Sequence, residues 1–338
     1  MNGWLNRSEA YVKNIASLIY DEFIGQSAQI NTALEITDDQ VHMLCMRRLK
    51  NGQYQLLNID TANLTEPVFQ ADKIQNNTSL ASVISQLFLK NSIKPGVMSL
   101  SLPVNRIISQ SVQVDKHLEE DLLEEKVLQS IETYFSYQPN QIYYDYQIVH
   151  SLSDQKKDAL LFVAAHRDIV SQYIDLSKLI NMQLATLDVY HYALYRLIYQ
   201  TLWSIKLSEK QPVILIDFKK SSIVVTLLIY NQIPTFCEMT PIVYEDDNLI
   251  NAQLPWLKRT LNMAQSAVEG SINNLSIYLC GDVPTLADIS ISLSSVLDQE
   301  IKLFNPFEYL MIQMEGSTVI ENPYQYLIPL ALLLAKEV

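Results

Sequence analysis

The chain has 338 residues and a formal net charge of −13, with 24 Lys and Arg against 37 Asp and Glu. That balance leaves no basic stripe to neutralise phosphates and excludes nucleic acid or charge-driven adhesion to an anionic membrane as partners. A hydrophobic fraction of 49% can fill two cores, as a chain above roughly 250–300 residues needs, whereas glycine is only 7 residues of 338, against a usual level of about 7%, which argues against an enzyme that cradles phosphates in glycine loops.

In chain order, residues 6–23 read as an amphipathic helix, with Tyr11, Ile15, Leu18, Ile19 and Phe23 on one side. The segment 1–28 is therefore set apart, either docked on its own domain or reaching a membrane surface or partner. Residues 32–46 read as strand, acid, turn and strand: Glu35 lies near the strand end, Thr37, Asp38, Asp39 and Gln40 make the turn, and Lys50-Asn51-Gly52 turns tightly into a third strand. A helix over 79–88, a break at Lys94-Pro95-Gly96 and a strand over 97–102 follow.

The pattern then changes. Residues 107–114 alternate as a half-buried strand does, and 118–135 form an acidic helix with Leu123, Val127, Ile131 and Phe135 on one face. Residues 142–149 alternate again, and 159–165 (ALLFVAA) are apolar throughout, as in a strand covered on both faces. Strand, helix, strand, strand makes a small sheet of its own, inserted within the first lobe.

A helix over 168–179, a strand over 182–187 and a longer helix over 190–205 lead to a polar stretch at 206–211, the best domain boundary in the chain. The strand, acid, turn, strand unit then returns at 212–229 with Asp217 in the matching place, and Tyr230-Asn231-Gln232 turns into its third strand. Helices over 254–267 and 286–297, strands over 276–280 and 301–304, and an apolar helix over 324–337 close the sequence.

The domain division is 1–28; 29–102 with 168–206 as a first lobe; 103–167 as the insert; and 207–338 as a second lobe. The fold class is α/β, built on a duplicated hairpin unit. Cys45, Cys237 and Cys280 are scattered in apolar strands and read as buried thiols of a reducing compartment. No basic cluster followed by an apolar stretch opens the chain, and the longest apolar run, 326–335, is about half the ~20 residues that cross a bilayer. A cytoplasmic protein is expected. The five histidines, His42, His117, His150, His166 and His191, share no metal-ligand spacing, so no metal site is assigned, and His191 reads as a packed core residue. No nucleophile elbow, P-loop or dinucleotide glycine turn occurs, and no catalytic residue is assigned.

Leu102-Pro103, the run Tyr134-Phe135-Ser136-Tyr137-Gln138-Pro139, Tyr144-Asp145-Tyr146-Gln147-Ile148, residues 161–168 (LFVAAHRD), Asp188-Val189 with Ala193-Leu194 and Arg196, Tyr278-Leu279-Cys280-Gly281-Asp282 and Asn305-Pro306-Phe307 occur in this order. Together they make the chain resemble the PilM family of type IV pilus assembly proteins, actin-like relatives of the cell-division protein FtsA. The resemblance implies a two-lobed actin-like fold of duplicated RNase H-like lobes, with a small strand-helix-strand-strand subdomain inserted in the first. The shortness of 240–254 implies a reduced outer subdomain in the second. It further implies a cytoplasmic scaffold, peripheral to the inner membrane, that binds the N-terminal cytoplasmic tail of a PilN-like membrane protein and meets other pilus platform proteins. The tail lies in a groove between first lobe and insert, where Ile107, Ile108, Val112 and Val114 are the candidate contacts.

In such folds the hairpin turns clamp nucleotide phosphates through close backbone approach, which glycine permits. Here Thr37, Asp38, Phe218 and Lys219 occupy those positions. A degenerate nucleotide site at Glu35, Asp217, Lys219, Lys220 and Gly281 is expected, with no cofactor. The alternatives are an active ATPase, in which Glu35 and Asp217 flank magnesium and Lys219 and Lys220 meet the phosphates of ATP, or a type II secretion scaffold of the same fold. The latter is usually followed by a membrane helix, which does not occur before Val338. Against phosphate contact, Lys219 and Lys220 also read as solvated turn residues.

Overall fold

The computed structural model describes residues 30–70, 73–134, 141–149, 157–204, 210–230, 232, 234, 236–242, 249–268, 275–314 and 320–334. The amphipathic helix at 6–23, most of the 134–139 and 206–211 stretches and residues 243–248 of the shortened region lie outside them.

In the first half, β1 (Ile30–Ile36), β2 (Gln40–Arg48) and β3 (Tyr54–Asn63) form a meander, followed by the short β4 (Phe69–Gln70) and β5 (Lys73–Ile74), α1 (Asn77–Lys90) and β6 (Val97–Leu102). Next come β7 (Ile107–Asp115), α2 (Glu120–Tyr134), β8 (Ile142–Val149), β9 (Lys157–His166), α3 (Arg167–Leu179), β10 (Gln183–Val189) and α4 (Tyr190–Ile198). The second half repeats the plan without the insert: β11 (Val213–Phe218), β12 (Ser222–Leu228), β13 (Phe236–Pro241), α5 (Leu249–Ser266), β14 (Ser276–Gly281), α6 (Leu286–Leu297), β15 (Ile301–Leu303), β16 (Ile312–Met314) and α7 (Leu327–Leu333).

The sheet orders make the duplication explicit. The first sheet runs β10-β6-β1-β2-β3-β16 and the second β13-β12-β11-β14-β15. In both, the first two strands pair antiparallel and the first strand pairs parallel with the fourth. The two turns close alike: Thr37 N donates to Gln40 O at 2.9 Å, and Lys219 N to Ser222 O at 2.9 Å. Thr37 and Lys219 are thus equivalent positions, each two residues beyond its strand-end acid. At the β2–β3 turn Gly52 N donates to Leu49 O at 3.0 Å and Gly52 takes φ +83, a longer loop with glycine in the left-handed place rather than the two-residue turn an Asn-Gly pair predicts.

Strand alternation decides the layers. Leu34, Val41 and Met43 enter the core beneath α1 and α3, while their neighbours Ala33 and Leu44 enter another that holds α4 and α7. Val213 and Leu215 enter that same α4–α7 core from the second sheet, and Ile214, Ile216 and Phe218 face away under α5 and α6. Both sheets are therefore covered on both faces, and the two helices between them belong to neither lobe alone. α7 lies on β1, β2 and β6, and α4 touches β10 and β12. β16, which follows β15, adds a parallel edge strand to the first sheet through Ile312↔Tyr54.

The helix expected over 190–205 is α4 followed by a π-helical turn, Tyr199–Trp203. That expected over 324–337 is a short turn, Pro323–Gln325, and then α7, to Leu333.

The insert is the three-stranded sheet β7-β9-β8. Leu123, Val127 and Ile131 of α2 pack on Leu160, Phe162 and Ala164 of β9, while the alternate residues Leu161, Val163 and Ala165 join the first-lobe core. Asp145 of β8 pairs with Val163 at this junction and accepts the Tyr146 amide proton at 2.9 Å. Burial pushes its carboxyl up from 3.8 to about 6. An acid raised in the folded state contributes stability below its unfolded value and loses it as pH rises through the folded value. Asp145 is half-buried, so Asp145→Asn is expected to gain about 1–2 kcal/mol near neutral pH. The gain should vanish at about pH 4, and urea midpoints at the two pH values check it.

Candidate functional site

Glu35 is the penultimate residue of β1 in the first lobe and Asp217 that of β11 in the second; both are buried. Between them stands the Lys219 ammonium, hydrogen-bonded to the Glu35 carboxylate and 3.3 Å from Asp217 Oδ2. Tyr190, the first residue of α4, donates its hydroxyl to Asp217.

Around this trio the two hairpins are tied across the lobes. Asp282, just after β14, accepts from the Lys220 amide at 2.8 Å and lies 3.6 Å from His42 Nε2 on β2. His42 Nδ1 is 3.0 Å from Thr61 Oγ1, which shares a 3.0 Å hydrogen bond with the Tyr326 hydroxyl. Lys220 Nζ reaches Asp39 at 3.9 Å. The cavity left among Glu35, His42, Asp217, Lys219 and Asp282 is about 10 Å³, room for roughly one water.

The electrostatics follow from burial. Desolvation by itself would lower the Lys219 pKa, but Asp217 and Glu35 outweigh it and hold the ammonium above the usual lysine range. Burial pushes the Glu35 carboxyl up, with Lys219 opposing. The Tyr190 hydroxyl and the Cys280 thiol are likewise pushed well up by burial and then by the nearby Asp217. A protonated thiol is a poor nucleophile, so Cys280 is not activated for attack.

Glu35, Asp217 and Lys219 thus come together, and Lys220 and Gly281 flank them. Lys219 is only 8% exposed, so the solvated-turn reading fails for it: its backbone closes the turn while its side chain reaches across the lobes. Gly281 sits at φ +137, and a Cβ there would lie 2.0 Å from the Phe218 carbonyl oxygen. His42, Asp282, Tyr190, Thr61 and Tyr326 were not found from sequence; only the Glu35↔His42 register could have pointed to the first. Among the described residues no group of three or more His, Cys, Asp and Glu side chains is placed to hold a metal. His191 is buried, and burial lowers its pKa to about 4.

At the insert, Ile107 belongs to the first-lobe core and Val114 to the insert's own, with Ile108 and Val112 packed against it. These side chains are committed to packing. The other face of β7 carries Ser109, whose hydroxyl is 2.5 Å from that of Tyr192, and the exposed Ser111 and Gln113. Among the described residues β7 pairs only with β9. Other expected motif residues hold structure: Arg196 pairs with Asp188, and Asn305 Oδ1 accepts from Phe307 N at 3.2 Å.

Two copies of one sheet plan, facing each other across a shared pair of helices with a strand-end acid in each, define the two-lobed actin-like ATPase class of fold. A protein of that fold and unknown function from Bacteroides thetaiotaomicron is 13% identical over 92% of this chain and 98% of its own, with a TM-score of 0.50. The family described as type IV pilus assembly protein PilM matches residues 33–234, and the chain belongs to that family. The structure of a PilM-PilN type IV pilus biogenesis complex is similar with a TM-score of 0.73, at 16% identity over 92% of this chain and 99% of that one. No curated protein sequence matches. Among the described residues no helix is long and apolar enough to cross a membrane.

Proposed function

We propose that this protein is a scaffold of the type IV pilus assembly platform, peripheral to the inner membrane, that binds the N-terminal cytoplasmic tail of a PilN-like membrane protein, and that its nucleotide site is degenerate. In this reading residues 29–102 with 168–206 are the first lobe, 103–167 the insert and 207–338 the second lobe, from which β16 and α7 return to the first sheet. Family membership carries the scaffold half, supported by the similarity to a complex that contains PilN. The tail adds to the edge of β7 that no described strand pairs with, where main-chain hydrogen bonds give affinity and flanking pockets give selectivity. It meets the Ser109, Ser111 and Gln113 face rather than Val112 and Val114, which are turned into the insert.

The degenerate half rests on the residues between the lobes. Ligand pockets commonly enclose about 300–1,000 Å³, whereas about 10 Å³ remains beside Glu35 and Asp217. These residues do not fit magnesium ATP.

Titration of a labelled PilN-like tail peptide tests the first half: saturable binding is expected, weakened at least tenfold by Ser111→Trp, and a wild-type chain that ignores the peptide sinks the scaffold. A melt with magnesium ATP tests the second. Ligand at 100 times its dissociation constant would stabilise the native state by about 2.7 kcal/mol; no shift is expected, and a clear upward shift would restore the ATPase reading.

A further inference from the structure

The two hairpin units differ in consequence at one equivalent position. Thr37 spends its hydroxyl on its own turn, accepting from Gln40 N at 3.0 Å, whereas Lys219 sends its ammonium away from its turn to the carboxylate of the opposite lobe. Glu35 and Asp217 are acids from different lobes, both buried, with one cation between them.

We propose that Lys219 is a built-in cation: its ammonium takes the point between Glu35 and Asp217 that a divalent metal would need, and so holds the two lobes closed without any ligand. This deepens the degenerate-site half of the proposed function and is independent of tail binding.

Two negative charges brought together from separate lobes repel, and burial removes the water that would screen them, so a positive charge there favours closure with both acids ionised. Lys219 supplies it from within the chain, at no cost in association. Oxygen ligands hold magnesium or calcium at about 2.0–2.6 Å, so a dication on the Glu35 carboxylate would sit against the ammonium already bonded to it. It can enter only if Lys219 leaves. The surroundings oppose that departure: Lys220 to Asp39 joins the two turns across the lobes, and His42 of β2 to Asp282 after β14 joins the lobes beside them. α4, α7 and β16 join the sheets behind them. Selection among ligands is thereby decided by one lysine, which refuses metals and metal–nucleotide complexes.

Melting curves of the full chain with magnesium or manganese chloride and no nucleotide test the proposal, using wild type, Lys219→Met and Lys219→Met/Glu35→Gln. Wild type is expected to ignore millimolar metal. Lys219→Met leaves two buried carboxylates without their shared ammonium and should melt about 5 °C lower, recover part of that loss with manganese, and bind manganese at least tenfold more tightly than wild type. The double variant should melt above Lys219→Met and lose the manganese response. A wild-type melting point that rises with metal, or a Lys219→Met protein as stable as wild type, overturns the clamp. Should Lys219→Met not fold, rescue of folding by Glu35→Gln supports it and failure of that rescue overturns it. A chain that shows this pattern but ignores the tail peptide loses only the scaffold reading; one that binds the peptide but responds to manganese loses only the clamp.

Discussion

Gly281→Ala is expected to destabilise the protein by at least about 3 kcal/mol, more than a single added methyl costs at most positions. Gly281 closes β14 opposite Phe218 of β11, with φ +137, where side chains other than glycine's hydrogen are strained. A methyl there would meet the Phe218 carbonyl oxygen at 2.0 Å and its carbonyl carbon at 2.6 Å. Both are backbone atoms, so relief requires moving a strand. Phe218 is fully buried and lies between Asp217 and Lys219, so that movement would also disturb the ion trio. Urea denaturation should give a strongly lowered midpoint, or no soluble protein. Gly52→Ala is the control: its φ is +83 but nothing lies within 4 Å of the new Cβ, so about 1 kcal/mol of conformational strain is the expected cost. A Gly281→Ala protein as stable as the Gly52→Ala control would show that β14 and β11 are not so close.

This glycine also shows where local sequence stops being informative. The sequence places Gly281 at a degenerate nucleotide site, yet close packing on Phe218 is sufficient reason for glycine. The duplicated hairpins were legible because alternation and turn chemistry are local: Glu35 and Asp217 emerge at matching strand ends, and Gly52 supplies the left-handed residue of its turn. The small inserted sheet was legible for the same reason, since ALLFVAA can be apolar throughout only if both faces are covered.

What joins the lobes was not legible. The partners of Lys219, His42 and Tyr326 are Glu35, Asp282 and Thr61, all remote in sequence and supplied by topology. A lysine in a polar turn reads as solvated, and only its equivalence to Thr37 hints otherwise. Likewise the side of β7 that faces the first lobe follows from which strand lies beside it: Ile107 and Ser109 look toward the lobe, Val112 and Val114 toward α2. Apolar alternation alone marks the residues that pack: Ile107 in the first-lobe core, and Val114 in the insert's core with Ile108 and Val112 partly buried against it.

Trp203→Ala is expected to cost about 3–5 kcal/mol, as buried aromatic truncations do, and to lower the stability of both lobes together. Trp203 is 2% exposed. It stands at the end of the helical segment that begins with α4, and its indole donates to the Gln211 carbonyl at 3.0 Å, immediately before β11. Tyr195 and Tyr230 meet its ring edge-on at 5.5 and 5.6 Å, so truncation removes packing on two sides and leaves an acceptor without its donor. The wider consequence comes from the core it belongs to. Ala193, Leu194 and Leu197 of α4 and Leu330 and Ala331 of α7 share one cluster with Ala33 and Leu44 of the first sheet and Val213 and Leu215 of the second. Neither sheet can bury its inner face without those helices, so neither lobe keeps a complete core when the shared layer opens. Wild type and Trp203→Ala should therefore each unfold in one urea transition, the variant at a lower midpoint. Met311→Ala, at a side chain 84% exposed, should stay within about 0.5 kcal/mol of wild type. A variant whose unfolding splits into two transitions would mean that each lobe has a core sufficient for itself. The clamp at Lys219 would then be the principal link between them, and its removal would let the lobes move apart without unfolding either.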